Sequence, residues 1–245
     1  MLRPRFYLDQ RLAAQTQLTL DDRVARHVAK ALRMKAGDTL YLFDGRGTEA
    51  CATIAAVERN RVEVMIDSSE SVSRESGLTI TLLISMSRGD RMDTIVQKAT
   101  ELGVTRILPV SSERTELRLK GERAEKKLTH WRNVAISACE QCGRNTLPEL
   151  ELPQDLDSAL GEASRWESAL KLILHPAQTN PPVPDSCAEL VLLVGPEGGF
   201  SDAEVDRAAA SGFQPFSLGP RVLRTETAPL AAIALAQARW GDLLG

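Results

Sequence analysis

From residue 78 onward the chain alternates short apolar runs with amphipathic helical spacing, and this rhythm limits the fold more than any other feature of the sequence. Residues 78–86 read as an apolar strand. The spacing predicts a helix over 90–102, with Met92, Ile95, Val96, Ala99 and Leu102 on one face and Gly103 ending it. A strand over 106–110 follows, then a helix over 124–142 striped with Leu128, Trp131, Ala135, Ala138 and Cys142. Residues 170–174 and 190–194 read as short buried strands. Ser201-Asp202-Ala203-Glu204 is a capping box that opens another helix. An Ala-rich helix over 225–244, apolar on most sides, closes the chain. Strands alternating with helices imply an α/β fold with a parallel sheet covered on both faces. In such sheets ligands gather at the carboxyl ends of the strands.

The first part of the chain has a different pattern. A strand over 39–43 leads into Asp44-Gly45-Arg46-Gly47, a hairpin turn signal, and further strands fit 51–57 and 62–66. One helix fits 22–33, with Val24, Val28, Ala31 and Leu32 on one side. These elements suit a small, mostly β barrel. Residues 67–77 are polar and serine-rich, so they read as a linker or long surface loop. The expected division is a domain over 1–70, a linker over 71–77 and a second domain over 78–245.

With 43% apolar and 26% charged residues in 245, the chain can bury a core without disulfides or metal. Its apolar runs are too short to span a bilayer, and no apolar run follows Met1-Leu2-Arg3-Pro4-Arg5 as a secretory signal requires. Four cysteines point to a reducing compartment, and the cytoplasm is the expected location. The net charge of -3 conceals an uneven distribution. Residues 1–35 carry 8 Lys and Arg against 3 Asp and Glu, and residues 151–245 carry 6 against 13. A basic start on an acidic chain fits a polyanion footprint, and it equally fits a solvated basic face.

Four motifs carry the candidate chemistry. Gly195-Pro196-Glu197-Gly198-Gly199-Phe200 follows a buried strand and precedes the capped helix. Glycines there let the backbone approach a ligand, or simply make a tight turn. The segment matches neither the dinucleotide-binding nor the Walker pattern. Residues 218–228, Leu-Gly-Pro-Arg-Val-Leu-Arg-Thr-Glu-Thr-Ala, put two arginines and a glutamate beside an apolar helix, where charges are rarely left unpaired. Arg88 and Arg91 flank Asp90, a plausible helix cap, at a strand's carboxyl end. Glu140 and Arg144 lie four apart near a helix end and are spaced to pair. Cys139 and Cys142 fit the apolar stripe of their helix. With His27, His130 and His175 scattered, no zinc site or nucleophile elbow emerges.

In this order the motifs resemble those of one family, the RsmE-like 16S rRNA uracil-N3 methyltransferases of the SPOUT class. The matching stretches are His27-Val28, Leu32-Arg33-Met34-Lys35-Ala36-Gly37-Asp38, Gly89-Asp90-Arg91-Met92, Gln97 to Val104, Glu140-Gln141, and the two loops at 195–200 and 218–228. Glu113-Arg114-Thr115 departs from the pattern, which has serine after the arginine; threonine keeps the hydroxyl. The resemblance implies a PUA-like β-barrel followed by a parallel-sheet SPOUT domain threaded as a trefoil knot. It also implies a homodimer, in keeping with a final helix too apolar to face water all round.

By the same resemblance, S-adenosylmethionine is expected among three loops: Leu174-His175-Pro176, then Gly195, Pro196, Glu197, Gly198 and Gly199, then Leu218, Gly219, Leu223, Arg224 and Thr225. Methylation of N3 calls for an arginine to stabilise the uracil anion, with Arg88, Arg91, Arg144 and Arg224 as candidates. It also calls for a base, with Glu101, Glu140 and Glu226 as candidates. Arg3, Arg5, Arg26, His27, Arg33, Lys35 and Arg114 are the expected contacts to 16S rRNA of the small subunit, with no metal and no membrane involved. Two other readings stand beside this one: a SPOUT enzyme with another RNA target, and a non-catalytic RNA-binding protein of ribosome assembly. The intact glycine loop and Leu-Arg-Thr-Glu-Thr-Ala segment argue against the second.

Overall fold

The computed structural model describes residues 3–58, 61–175 and 180–244. The chain forms two compact units. One is Met1–Glu75 with Cys139–Leu147, and the other is Ser76–Ala138 with Pro148–Gly245. The division falls inside the expected linker, but residues 139–147, expected in the second domain, belong to the first unit.

In the first unit, β1 (Arg5–Tyr7), β2 (Gln17–Thr19), β3 (Thr39–Phe43), β4 (Thr48–Glu58) and β5 (Arg61–Ser71) form one sheet in the order β1-β3-β4-β5-β2. β1 runs parallel to β3 and the other pairs are antiparallel. Val62, Val64 and Ile66 alternate into a core with Leu40, Leu42, Ala52 and Ile54. The helix expected over 22–33 is shorter. α1 (Asp22–Arg26), capped by the Asp21 side chain on the N–H of Val24, passes into a π-helical turn at His27–Ala31. Arg33 then takes a left-handed backbone, φ 54°. The serine-rich stretch also departs from expectation in its first part, since β5 continues as far as Ser71. Cys51 pairs with Ser68, Ala50 with Ser69 and Thr48 with Ser71. Polar side chains hide the strand period there, while the ladder satisfies the backbone.

The second unit holds a seven-stranded, all-parallel sheet: β6 (Thr79–Ser85), β7 (Arg106–Ser111), β8 (Glu149–Leu150), β9 (Gln154–Asp155), β10 (Leu170–Leu174), β11 (Glu189–Val194) and β12 (Gln214–Phe216). The order is β12-β10-β11-β6-β7-β8, with β9 also paired to β7. Helices α2 (Arg91–Glu101), α3 (Glu122–Cys142), α4 (Leu156–Ala163), α5 (Asp202–Ala210) and α6 (Thr227–Trp240) complete it. The last turn of α3, from Cys139, belongs to the first unit.

Alternate side chains serve the two faces of this sheet. Ile80, Leu82, Ile84, Leu190, Leu192 and Val194 pack with Ile95, Trp131 and Ile233. Leu83, Leu108, Val191 and Leu193 pack with Leu160 of α4, Ala208 of α5 and Phe213 just beyond it. The central strands β6, β7, β10 and β11 are buried on both sides, which is why they read as continuous apolar runs. α6 buries the stripe Pro229, Ala232, Ile233, Ala236 and Gln237. Leu235 on its other side is 58% exposed, at the edge of a small apolar hollow with Val183 and Trp240.

A buried ion cluster ties the return segment to the first unit. Arg5 pairs with Glu49 and donates to the carbonyl of Arg144 (3.0 Å) and to Asn145 Oδ1 (2.7 Å). Arg74 bonds both Glu49 oxygens, at 3.1 and 3.2 Å. Burial opposes the charge on Glu49, yet Arg74 and Arg5 together hold its carboxyl below its ordinary range. A carboxylate depressed in the folded state stabilises above its unfolded pKa, and that contribution is lost as pH falls through the folded value. Glu49→Gln should therefore lower folding stability by about 2 kcal/mol at pH 7. It should also flatten the fall of the thermal midpoint below about pH 4.3, the ordinary glutamate value. Midpoints measured from pH 7 to pH 3 check both.

Candidate functional site

Three loops leave the sheet side by side because their strands end level. Leu174 of β10 pairs with Val194 of β11 on one side and Phe216 of β12 on the other. The N–H of His175 donates to the Phe216 carbonyl at 3.1 Å, extending that pairing by one bond. The loops beginning at His175, Gly195 and Ser217 therefore share one edge. β6 lies next along it, with Ile84 beside Val194.

At this edge a cavity of about 150 Å³ is lined by the first and third loops, with Leu174, His175, Phe216, Gly219, Val222 and Leu223 among its walls. Gly219 has φ 95°, where a side chain would be strained, and a Cβ there would meet no atom within 4 Å. The left-handed backbone at 219 therefore calls for glycine, and the space beside it is open. Mostly apolar walls suit the flat apolar faces of a purine, such as that of S-adenosylmethionine. Of the expected cofactor residues, this cavity gathers Leu174, His175, Leu218, Gly219 and Leu223. Gly195 to Gly199 begin level with it but are not among its walls. Pro176 lies outside the described residues. Pro220, Arg221 and Val222 of the expected third loop also line the cavity, as do Phe216, Ser217 and Ala228 from outside the three expected loops. β12, which delivers Phe216 and Ser217, is only 3 residues long, too short to show a period.

The candidate catalytic residues separate into groups. Arg88 pairs with Glu116 at 3.0 Å, and Arg91 pairs with Glu197 of the glycine loop. Asp90 is the N-cap of α2 without a side-chain cap bond; its carbonyl takes the N–H of Thr94 instead. Arg224 and Glu226 have no side-chain partner among the described residues, and they follow the cavity loop directly into α6. Glu101 pairs with Lys98 at 2.9 Å in the last turn of α2. That helix starts at the carboxyl end of β6 and returns to the start of β7, so Glu101 stands at the opposite edge of the sheet from the cavity.

Glu140 and Arg144 do not pair with each other. Glu140 accepts the N–H of Tyr7 (3.1 Å) and pairs with Arg23 (3.0 Å), while Arg144, 5% exposed, pairs with Glu75. Both hold the return segment in the first unit. Arg5 of the expected RNA contacts is buried in the Glu49 cluster and so is not presented to RNA. Arg3, Arg26, Arg33 and Lys35 stay exposed on the first unit, and His27 packs edge-on against Phe6. The thiol of Cys142 and burial push the Cys139 thiol up, which keeps it protonated. Among the described residues, no group of three or more His, Cys, Asp or Glu is placed to hold a metal, and no helix is long and apolar enough to cross a membrane. Glu140→Gln should lower the thermal midpoint by the equivalent of about 1–2 kcal/mol, as a lost charge-assisted bond does. A free catalytic base would leave the midpoint unmoved, so calorimetric unfolding of the variant separates the two roles.

A family model described as RNA methyltransferase domain matches residues 74–237, and one described as RNA methyltransferase PUA domain matches residues 20–67. The ribosomal RNA small subunit methyltransferase E of Buchnera aphidicola (subspecies Schizaphis graminum) is 35% identical over 243 residues, covering 98% of each chain. A methyltransferase of Legionella pneumophila, solved with bound S-adenosylmethionine, superposes with a TM-score of 0.94 at 43% identity, covering 99% of this chain and 100% of that one. The small subunit methyltransferase E of Neisseria gonorrhoeae, also bound to S-adenosylmethionine, gives a TM-score of 0.91 at 41% identity over 98% and 99% of the two chains.

Proposed function

Since the chain belongs to the RNA methyltransferase family that includes the small subunit methyltransferases E, we propose that it methylates small-subunit ribosomal RNA from S-adenosylmethionine, and that the acceptor is N3 of a uracil in 16S rRNA. The observation that carries this reading is the apolar cavity at the level ends of β10 and β12, with Gly219 in its wall. Leu174, His175, Leu218, Gly219 and Leu223 would hold the cofactor, with Gly195 to Gly199, Arg224 and Thr225 beside them. When bound, the cofactor supplies an electrophilic methyl group on a sulfonium.

The protein's own groups then have three tasks. They hold N3 in line with the methyl carbon, which removes much of the entropic part of the barrier. They stabilise the anion left when the imide proton departs, and Arg224 is suited to that because no carboxylate already occupies its guanidinium. They take up the proton, through Glu226 or a water molecule. Arg88 and Arg91 serve the same edge from the β6 side, each already paired to a carboxylate. In the first unit, Arg3, Arg26, His27, Arg33 and Lys35 form the RNA-facing set. The left-handed turn at Arg33 and the π-helical turn before it set their direction.

The chain acts in the cytoplasm as a homodimer with its C-terminal segment threaded as a knot. The exposed side of α6 around Leu235 supports the dimer.

Four measurements test this reading. Calorimetry should detect S-adenosylmethionine binding, and Gly219→Val should weaken it at least tenfold while leaving the circular dichroism spectrum intact; undiminished affinity would refute the cavity assignment. Nucleotide mapping after incubation with small subunits should find methyl on uracil N3, and a ribose or another base would redirect the function. Arg33→Ala should weaken RNA binding and reduce its salt slope by about one. Light scattering should give about twice the 26.8 kDa chain mass.

A further inference from the structure

We propose that Arg114 positions the glycine loop for the cofactor and does not grip RNA phosphate. This rests on reading residues 195–199 as a cofactor loop. Arg114 follows the carboxyl end of β7, and its Nη1 donates to the carbonyl of Gly198 at 2.7 Å and that of Phe200 at 3.4 Å. Its stem runs along the loop, so that a Cβ on Gly198 would lie 3.3 Å from Arg114 Cδ and 3.4 Å from Arg114 Cβ. Glycine at 198 is therefore what lets the arginine lie flat against the backbone.

The other ends of the same peptides are held as well. The N–H of Gly199 donates to the Pro196 carbonyl at 2.9 Å. The N–H of Ser201 donates to Glu204 Oε2 at 2.9 Å, and the other oxygen of Glu204 takes the N–H of Glu113 at 2.7 Å. Glu204 is 1% exposed, so this one carboxylate fixes both the start of α5 and the residue preceding Arg114. Thr115 completes the turn, its Oγ1 accepting the N–H of Ser112 at 2.9 Å. The hydroxyl does this work, which is why threonine serves where the family pattern has serine. Arg91, paired with Glu197, holds the entry side of the loop. With its exit side occupied, the loop keeps the N–H groups of Glu197 and Gly198 without a partner among the described residues, available to a ligand.

Both bonds leave one nitrogen, so a lysine ammonium could keep part of the donation but not the flat guanidinium that fixes it against the loop. Arg114→Ala should weaken S-adenosylmethionine binding to the full chain about tenfold, and Arg114→Lys by less. With methyl transfer assayed, KM for the cofactor should rise while kcat at saturation stays near the parent value. RNA affinity without cofactor should keep the parent's salt slope. Gly198→Ala should also weaken cofactor binding, and the double variant should lose less than the sum, because both changes strike one contact. Cofactor affinity unchanged in both Arg114 variants, or a salt slope reduced by about one in Arg114→Ala, would overturn the proposal. If the parent itself binds no S-adenosylmethionine, the functional reading falls and this one with it. If the parent binds and Arg114→Ala binds equally well, only the role of Arg114 falls.

Discussion

The site depends on register. β10 pairs in parallel with β11 and β12 so that Leu174, Val194 and Phe216 end together. Everything the cavity needs follows from that levelness, because loops leaving at different heights could not share a wall. The register is fixed by burial on both faces. Leu172 and Leu192 go to the side of α6, while Ile173 and Leu193 go to the side of α4 and α5. A slip of one residue would send each side chain to the wrong layer. β12 adds only 3 residues, so it takes its alignment from β10 and contributes little of its own.

Much of this architecture could be read in the sequence. Strands β3 and β10 fall on the residues where the apolar pattern put them, as does the capping box of Ser201 and Glu204. These were legible because their signals are local: alternation, a buried run, a capping pair. The extension of β5 through Asp67–Ser71 was not legible, since its side chains are polar and its stability comes from pairing with β4. β8, β9 and β12 are too short to carry a period. Within the site, the glycine and arginine motifs marked the right loops, but the roles of individual charges depend on partners distant in sequence. Glu140 finds Tyr7 and Arg23, and Arg114 finds Gly198 and Phe200. Spacing on one helix suggested a Glu140–Arg144 pair, and tertiary pairing overrode it.

Arginine recurs as a structural fastener in both units. In the first, Arg5 and Arg74 converge on Glu49 and also reach backbone carbonyls of Arg144 and Gly143. In the second, Arg106 gathers Glu151 and Glu162 beside the Trp166 ring. A planar fork with several donors holds carboxylate and backbone together in a fixed geometry, which a lysine's compact ammonium does not impose. Counting basic residues therefore overstates the surface offered to a polyanion. Arg5 counts toward the basic start of the chain and is nonetheless buried in a fold-holding cluster.

The return segment Cys139–Leu147 makes the first unit discontinuous in the chain. Its earlier residues emerge first during synthesis, yet Arg5 cannot meet Asn145, nor Asn145 the carbonyl of Val72, until more than half of the chain has been made. The usual order of biosynthesis, in which an amino-terminal domain is finished before the next begins, is closed to this protein. While β6, β7 and α3 are being synthesised, the nascent first unit holds Glu49 and Arg5 without the carbonyl and amide groups that complete their cluster. Its maturation is thus timed by the chain that follows it, and a fragment cut at the boundary between the units would lack the segment that completes its own fold.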